Sequence, residues 1–126
     1  MFNKFLERKG ALITGGASGF GRSAAFALAE RGADLVLIDI NEELLEETSK
    51  TITQKLGQKV TPIICDVSKS DQVETMAKQA FQELDNIYIL FNNAGLGYPY
   101  GADLLRTKES DWDRILNINL KGQWLV

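Results

Sequence analysis

Residues 14–21 read Thr-Gly-Gly-Ala-Ser-Gly-Phe-Gly; they follow directly on an aliphatic run, 10–14, and lead into a segment of helical spacing from about 20 to 31. A strand that turns into a helix through Gly15, Gly19 and Gly21 leaves backbone N–H groups free at the helix N-terminus with no β-carbon before them. That is the arrangement a pyrophosphate requires. Gly19-Phe20-Gly21-Arg22-Ser23-Ala24 also fits the G-x-G-x-x-A fingerprint. A merely tight connection between strand and helix would use the same glycines, so the rest of the chain has to decide.

Further β-branched or aliphatic runs stand at 34–39, 60–65 and 87–91, each separated from the last by a helical segment. The first helix is rich in alanine and stops at Gly32. The second, about 42–56, begins behind Asn41 as N-cap, carries Leu45, Thr48, Ile52 and Leu56 on one side, and ends at Gly57. The third, about 69–84, sets Val73, Met76, Ala77, Ala80, Phe81 and Leu84 in one apolar stripe behind Ser68 and Asp71. Ser110-Asp111-Trp112-Asp113 reads as the capped start of a fourth, followed by Ile115, Leu116, Asn119 and Leu120. Alternating strands and helices imply a parallel sheet with helices on both faces, joined by right-handed crossovers. The only long irregular stretch is Gly95–Gly101, of a kind that often covers a ligand.

Composition removes several classes of chemistry. The chain has 126 residues, one domain's worth, and a net charge of −3 that offers nucleic acid or a membrane surface no basic patch. No apolar stretch approaches the roughly 18 residues of a membrane span, and the first residues contain no signal-peptide core, so a soluble, cytoplasmic protein is expected. The absence of histidine excludes Ser-His-Asp chemistry and His-metal sites within these residues, and the single Cys65 has no partner for an internal disulfide. Cys65 is expected to pack beside the third strand without special reactivity. No metal-ligand set is present.

Asp39 closes the second run 20 residues after Gly19, the spacing of an acid that bonds the adenosine ribose hydroxyls. Charge-assisted bonds of this type are worth about 1.5–3 kcal/mol. A 2′-phosphate about 4 Å from the carboxylate would be repelled by about 4 kcal/mol per charge pair at an effective dielectric of about 20. Neither Ser18 nor Ile40 offers a cation to a 2′-phosphate, so NAD is favoured over NADP. A solvated aspartate at a strand end is the plainer alternative.

Thr14-Gly-x-x-x-Gly-x-Gly21, Asp39, Asp66-Val67 and Asn92-Asn93-Ala94-Gly95, in that order, resemble a short-chain dehydrogenase/reductase of the single-domain kind over the whole chain. The resemblance implies a doubly wound Rossmann sheet with strand order 3-2-1-4. Loops after strands one and four then form two walls of one crevice. It also implies that Asp66-Val67 contacts the adenine ring and that Asn93, Ala94 and Gly95 line the cofactor crevice. Taken singly, Asp66 could be an N-cap and Asn93 a turn residue. The candidate cofactor-binding residues are thus Gly15, Ala17, Ser18, Gly19, Phe20, Gly21, Asp39, Ile40, Asp66, Val67, Asn93, Ala94 and Gly95.

On helical spacing Asn119 falls about 20° from Trp112, on the stripe with Ile115 and Leu116, where a polar side chain needs a partner. It could bond a neighbouring carbonyl to hold a kink. The resemblance gives it a catalytic part, ordering a water in a proton relay to a lysine, while Asn117 points away as the lesser candidate.

The family's Ser and Tyr-x-x-x-Lys are missing: four residues after Tyr88, Tyr98 and Tyr100 come Asn92, Ala102 and Leu104. The resemblance therefore implies an NAD-dependent oxidoreductase that moves a hydride between nicotinamide and a carbinol or carbonyl carbon of a small alcohol or ketone, with residues 1–126 supplying the cofactor-binding part. On this reading the sheet is truncated before strand five, and 87–91 would be an uncovered apolar edge. That edge would pair with a second copy, a separately encoded partner or a missing C-terminal part. The alternative is a non-catalytic NAD-binding or interaction module. A P-loop nucleotidase fails for want of Gly-Lys-Ser/Thr after the glycines.

Overall fold

The computed structural model describes residues 3–98 and 103–126. The element order is β1 (Gly10–Thr14), α1 (Gly19–Glu30), β2 (Asp34–Asp39), α2 (Glu42–Leu56), β3 (Val60–Ile64), α3 (Ser70–Glu83), β4 (Ile87–Phe91), α4 (Glu109–Leu116), a wide π turn (Asn117–Lys121) and α5 (Gly122–Leu125). All strand pairs are parallel, in the order β3-β2-β1-β4, as expected.

Alternation along the central strands builds two cores. Ala11, Ile13, Leu35 and Leu37 pack under Ala25 and Ala29 of α1 and Leu45 and Ile52 of α2. Leu12, Val36 and Ile38 face the other way, onto Val73, Met76, Ala80 and Leu84 of α3. The alanines of α1 let that helix lie close to the sheet, and each buried Leu or Ile contributes about 1.5–3 kcal/mol relative to exposure.

The ends of α2 agree with the sequence reading: the Asn41 side chain accepts from the Leu44 N–H at 3.1 Å, and Gly57 closes the helix at φ +71°. The third helix departs from it. Its N-cap is Lys69, with no side-chain cap, because the Ser68 hydroxyl is spent on Asp66 instead. Phe81 is 68% exposed, since the stripe that meets the sheet narrows to Val73, Met76, Ala80 and Leu84. The fourth helix also lacks the expected cap. It begins behind Lys108, two residues earlier than Ser110 would set it.

The register slips between Gly10 and Ala11, so that Ile87 and Ile89 enter opposite cores. A β-carbon on Gly10 would lie 2.0 Å from the Asn86 carbonyl oxygen, so only glycine permits this crossing. The two outer strands differ. β3 carries Pro62, which blunts an edge, whereas β4 has no proline and leaves Tyr88, Leu90 and Phe91 exposed.

Candidate functional site

The C-terminal ends of β1, β2, β3 and β4 and one face of α4 enclose a crevice of about 570 Å³. At its floor the glycine turn is tied down from behind. The Asn93 amide Nδ2 donates to the carbonyls of Thr14 and Gly15 at 3.1 and 3.2 Å, and the Thr14 hydroxyl oxygen accepts from the N–H groups of Asn93 and Ala94, both at 3.0 Å. Gly16 N–H donates to the Ile38 carbonyl at 3.0 Å. Gly21 is required by contact, because a β-carbon there would sit 2.0 Å from the Gly15 oxygen. Gly19 is required by conformation, at φ +54°, and nothing lies within 4 Å of where its β-carbon would be. Ser18 is the N-cap of α1 yet makes no side-chain capping bond, so the first N–H groups of the helix have no side-chain cap, and the space where a Gly19 β-carbon would stand is open.

Asp39 is locked at the rim. One carboxylate oxygen accepts from the Ala17 N–H at 3.1 Å and the other from the Asn41 N–H at 3.0 Å, while the Thr48 hydroxyl donates to the Ala17 carbonyl at 3.2 Å. Ala17 is thus held at both its N–H and its C=O, and the remaining lone pairs of Asp39 stay available to hydroxyl donors.

At the end of β3, Oδ1 of Asp66 accepts the Ser68 N–H at 2.9 Å and the Ser68 hydroxyl at 2.7 Å, whereas no hydrogen bond is made to Oδ2 among the described residues. Partial burial pushes the Asp66 carboxyl up. The two bonds from Ser68, with the charges of Lys69 and Arg114, outweigh that and hold it below its ordinary value. Asp66, which lines the crevice, is therefore a carboxylate at neutral pH with one oxygen free of hydrogen bonds among the described residues. Val67 beside it is buried against Gly122, where a β-carbon would lie 2.9 Å from its Cγ2. Burial above all, then the charges of Asp66 and Asp71, push the Cys65 thiol up to about 11, in line with a packing role.

Of the residues singled out from sequence, Gly15, Asp39, Ile40, Asp66, Val67, Ala94 and Gly95 line the crevice. Ala17, Ser18 and Gly19 line a smaller adjoining hollow of about 200 Å³ with Thr48. Gly21 and Asn93 sit behind the turn and shape it. Phe20 projects into solvent, 85% exposed, and lines neither hollow. Asn119 is not at the crevice wall: its Oδ1 accepts the Leu96 N–H at 2.7 Å and its Nδ2 donates to the Leu96 carbonyl at 2.8 Å, latching the loop after β4 to the kinked helix. Asn117 points away from the stripe of Trp112, Ile115 and Leu116, and that direction carries it to the crevice, which it lines. The helix widens into a π turn from that residue onward. Ser110, Asp113, Arg114 and Ile118 also face the crevice and were missed. The spacing of Ser110, Asp113, Arg114 and Asn117 at i, i+3, i+4 and i+7 was the signal that marks them as one face. Tyr98 lies away from the crevice, in an apolar hollow with Trp112 and Leu116; Tyr100 falls outside the described residues.

Among the described residues there is no acidic, His or Cys cluster suited to a metal, and no helix long and apolar enough to cross a membrane.

Residues 9–126 match a family model described as short chain dehydrogenase. Among curated proteins, the 3-oxoacyl-(acyl-carrier-protein) reductase FabG of Thermotoga maritima is 39% identical over 121 residues, which are 96% of this chain and 48% of that protein. Among solved structures, a short chain dehydrogenase/reductase from Burkholderia phymatum in complex with NAD superposes with a TM-score of 0.89 at 36% identity, covering 99% of this chain and 43% of its own. An alcohol dehydrogenase from the archaeon Thermococcus sibiricus, complexed with 5-hydroxy-NADP, gives 0.88 at 32% identity, over 93% of this chain and 49% of its own. The chain spans about half the length of the curated relatives it matches.

Proposed function

The chain belongs to the short-chain dehydrogenase family, and from that premise we propose that residues 1–126 form the NAD-binding part of an oxidoreductase acting on a small alcohol or ketone. The observation that carries this reading is Asp39, fixed on the Ala17 N–H beside the uncapped start of α1, with free lone pairs at the crevice rim. The residues present fit a dinucleotide. The space before Gly19 is open, the first N–H groups of α1 are unpaired by any side chain, and one oxygen of Asp66 is free. When bound, a nicotinamide dinucleotide supplies a hydride donor or acceptor at its ring.

In this reading the N-terminus of α1 and the turn around Gly19 hold the pyrophosphate, and Asp39 accepts from the ribose hydroxyls. Ile40 and Val67 flank the base, and Asp66 accepts from its exocyclic amino group. Asn93 keeps the turn in shape, and Ala94 and Gly95 form the wall of the crevice after β4. Asn119 positions that wall through Leu96. Preference for NAD over NADP follows from Asp39 and from the lack of a cation at Ser18 and Ile40. A Burkholderia relative with NAD and a Thermococcus relative with 5-hydroxy-NADP share the fold, so the preference rests on these residues and not on the likeness. Equilibrium dialysis tests it: the folded chain is expected to retain NADH, and Asp39→Ala to lose it by about 10- to 150-fold, the equivalent of about 1.5–3 kcal/mol.

The alternative reading is a non-catalytic NAD-binding or interaction module. Oxidation of simple alcohols by the chain, alone and as any longer product of its reading frame, separates the two.

A further inference from the structure

One face of α4 is polar and turned into the crevice: Ser110, Asp113, Arg114 and Asn117 line it, whereas Trp112 and Leu116 line a separate apolar hollow. Arg114 is the one cation on that face. Its side chain is exposed and makes no hydrogen bond or ion pair among the described residues. A cation in the last turn of a helix also favours the helix dipole, but any position of that turn would serve the dipole equally. Position 114 instead sets a guanidinium on the same crevice as Asp66, near enough for its charge to act on that carboxylate.

The surroundings suit a planar base at this end. Ile40, Val67 and Ile118 give the crevice apolar surface, Asp66 gives it a fixed acceptor, and the glycine turn that suits phosphate lies at the end of β1. A guanidinium is planar, weakly hydrated and stacks on aromatic faces more readily than an ammonium. Building on the cofactor-binding reading above, we propose that Arg114 contacts the cofactor, its guanidinium lying against the face of an adenine whose amino edge meets Asp66. Arg114 then closes the open rim of the base subsite and selects for a π surface there, a property that neither the glycine turn nor Asp39 supplies.

The test compares the chain with Arg114→Gln and Arg114→Lys by calorimetric titration of two probes, ADP-ribose and inorganic pyrophosphate. Because Arg114 is exposed and unpaired, all three proteins should unfold at the same temperature; if R114Q does not, R114K carries the comparison. The expected result is a dissociation constant for ADP-ribose raised about two- to fivefold in R114Q and less in R114K, with pyrophosphate binding unchanged. Unchanged ADP-ribose affinity in both variants, or equal weakening of both probes, overturns the inference while leaving the cofactor-binding reading standing. Failure of the parent chain to bind either probe sinks that reading, and this one with it.

Discussion

Thr14 and Asn93 hold each other: the Thr14 hydroxyl oxygen accepts the Asn93 N–H at 3.0 Å while the Asn93 amide donates to the Thr14 carbonyl at 3.1 Å. The glycine turn is therefore clamped to the end of β4 before any ligand arrives. Asn93→Ala removes a donor from two part-buried carbonyls and is expected to cost about 1–3 kcal/mol of stability in urea unfolding, together with a loss of NADH retention. Thr14→Val, which removes the acceptor for the N–H groups of both Asn93 and Ala94, should behave alike.

Two glycines of the turn should respond in opposite ways. Gly21→Ala drives a methyl group into the Gly15 carbonyl, so the chain should lose thermal stability severely or fail to fold. Gly19→Ala meets no protein atom and costs only about 1–2 kcal/mol for its positive φ, yet it places a methyl group where the phosphates are assigned. A folded Gly19→Ala protein that no longer retains NADH is the expected outcome; undiminished retention would remove the phosphate assignment from that turn.

Cofactor preference should follow two positions. Asp39→Ser with Ile40→Arg removes the carboxylate and adds a cation, and the ratio of NADPH to NADH affinity is expected to rise well over tenfold, measured by the same dialysis. A ratio unmoved by this pair of changes would place the ribose elsewhere.

Acid dependence should trace to Asp66. Its folded carboxyl is held below the ordinary value of 3.8, so the stability it contributes is present above that value and is lost as pH falls through the folded one. Asp66→Asn removes that contribution, so it should lower stability in the neutral range, flatten the acid limb below about pH 4 and bring the two proteins together in acid. With no histidine in the chain, ADP-ribose affinity is expected to be level between about pH 5 and 8.

Cys65 should resist alkylation in the folded protein. With its thiol pushed up to about 11 and buried, iodoacetamide at pH 8 is expected to label it only after denaturant is added, followed by mass spectrometry. Rapid labelling of native protein would contradict both its burial and its packing role.

Period and turn chemistry act over a few residues, which is why the four strands, the Asn41 and Gly57 ends of α2, the glycine bend and the place of Asp39 at a strand end could all be read before any coordinates. Capping was less legible. Ser68 and Ser110 match the pattern of helix starts, but Ser68 found a better acceptor in Asp66, and Lys108 precedes α4. The partners of Asn93 and Asn119 were beyond a linear reading. Asn93 meets Thr14 across 79 residues and Asn119 meets Leu96 across 23, and such pairings depend on which loops the parallel crossovers bring to the same end of the sheet. The same holds for the polar face of α4. Its spacing is written in residues 110–117, but nothing local tells a helix which of its two faces will meet a crevice, and docking against the strand ends settled that.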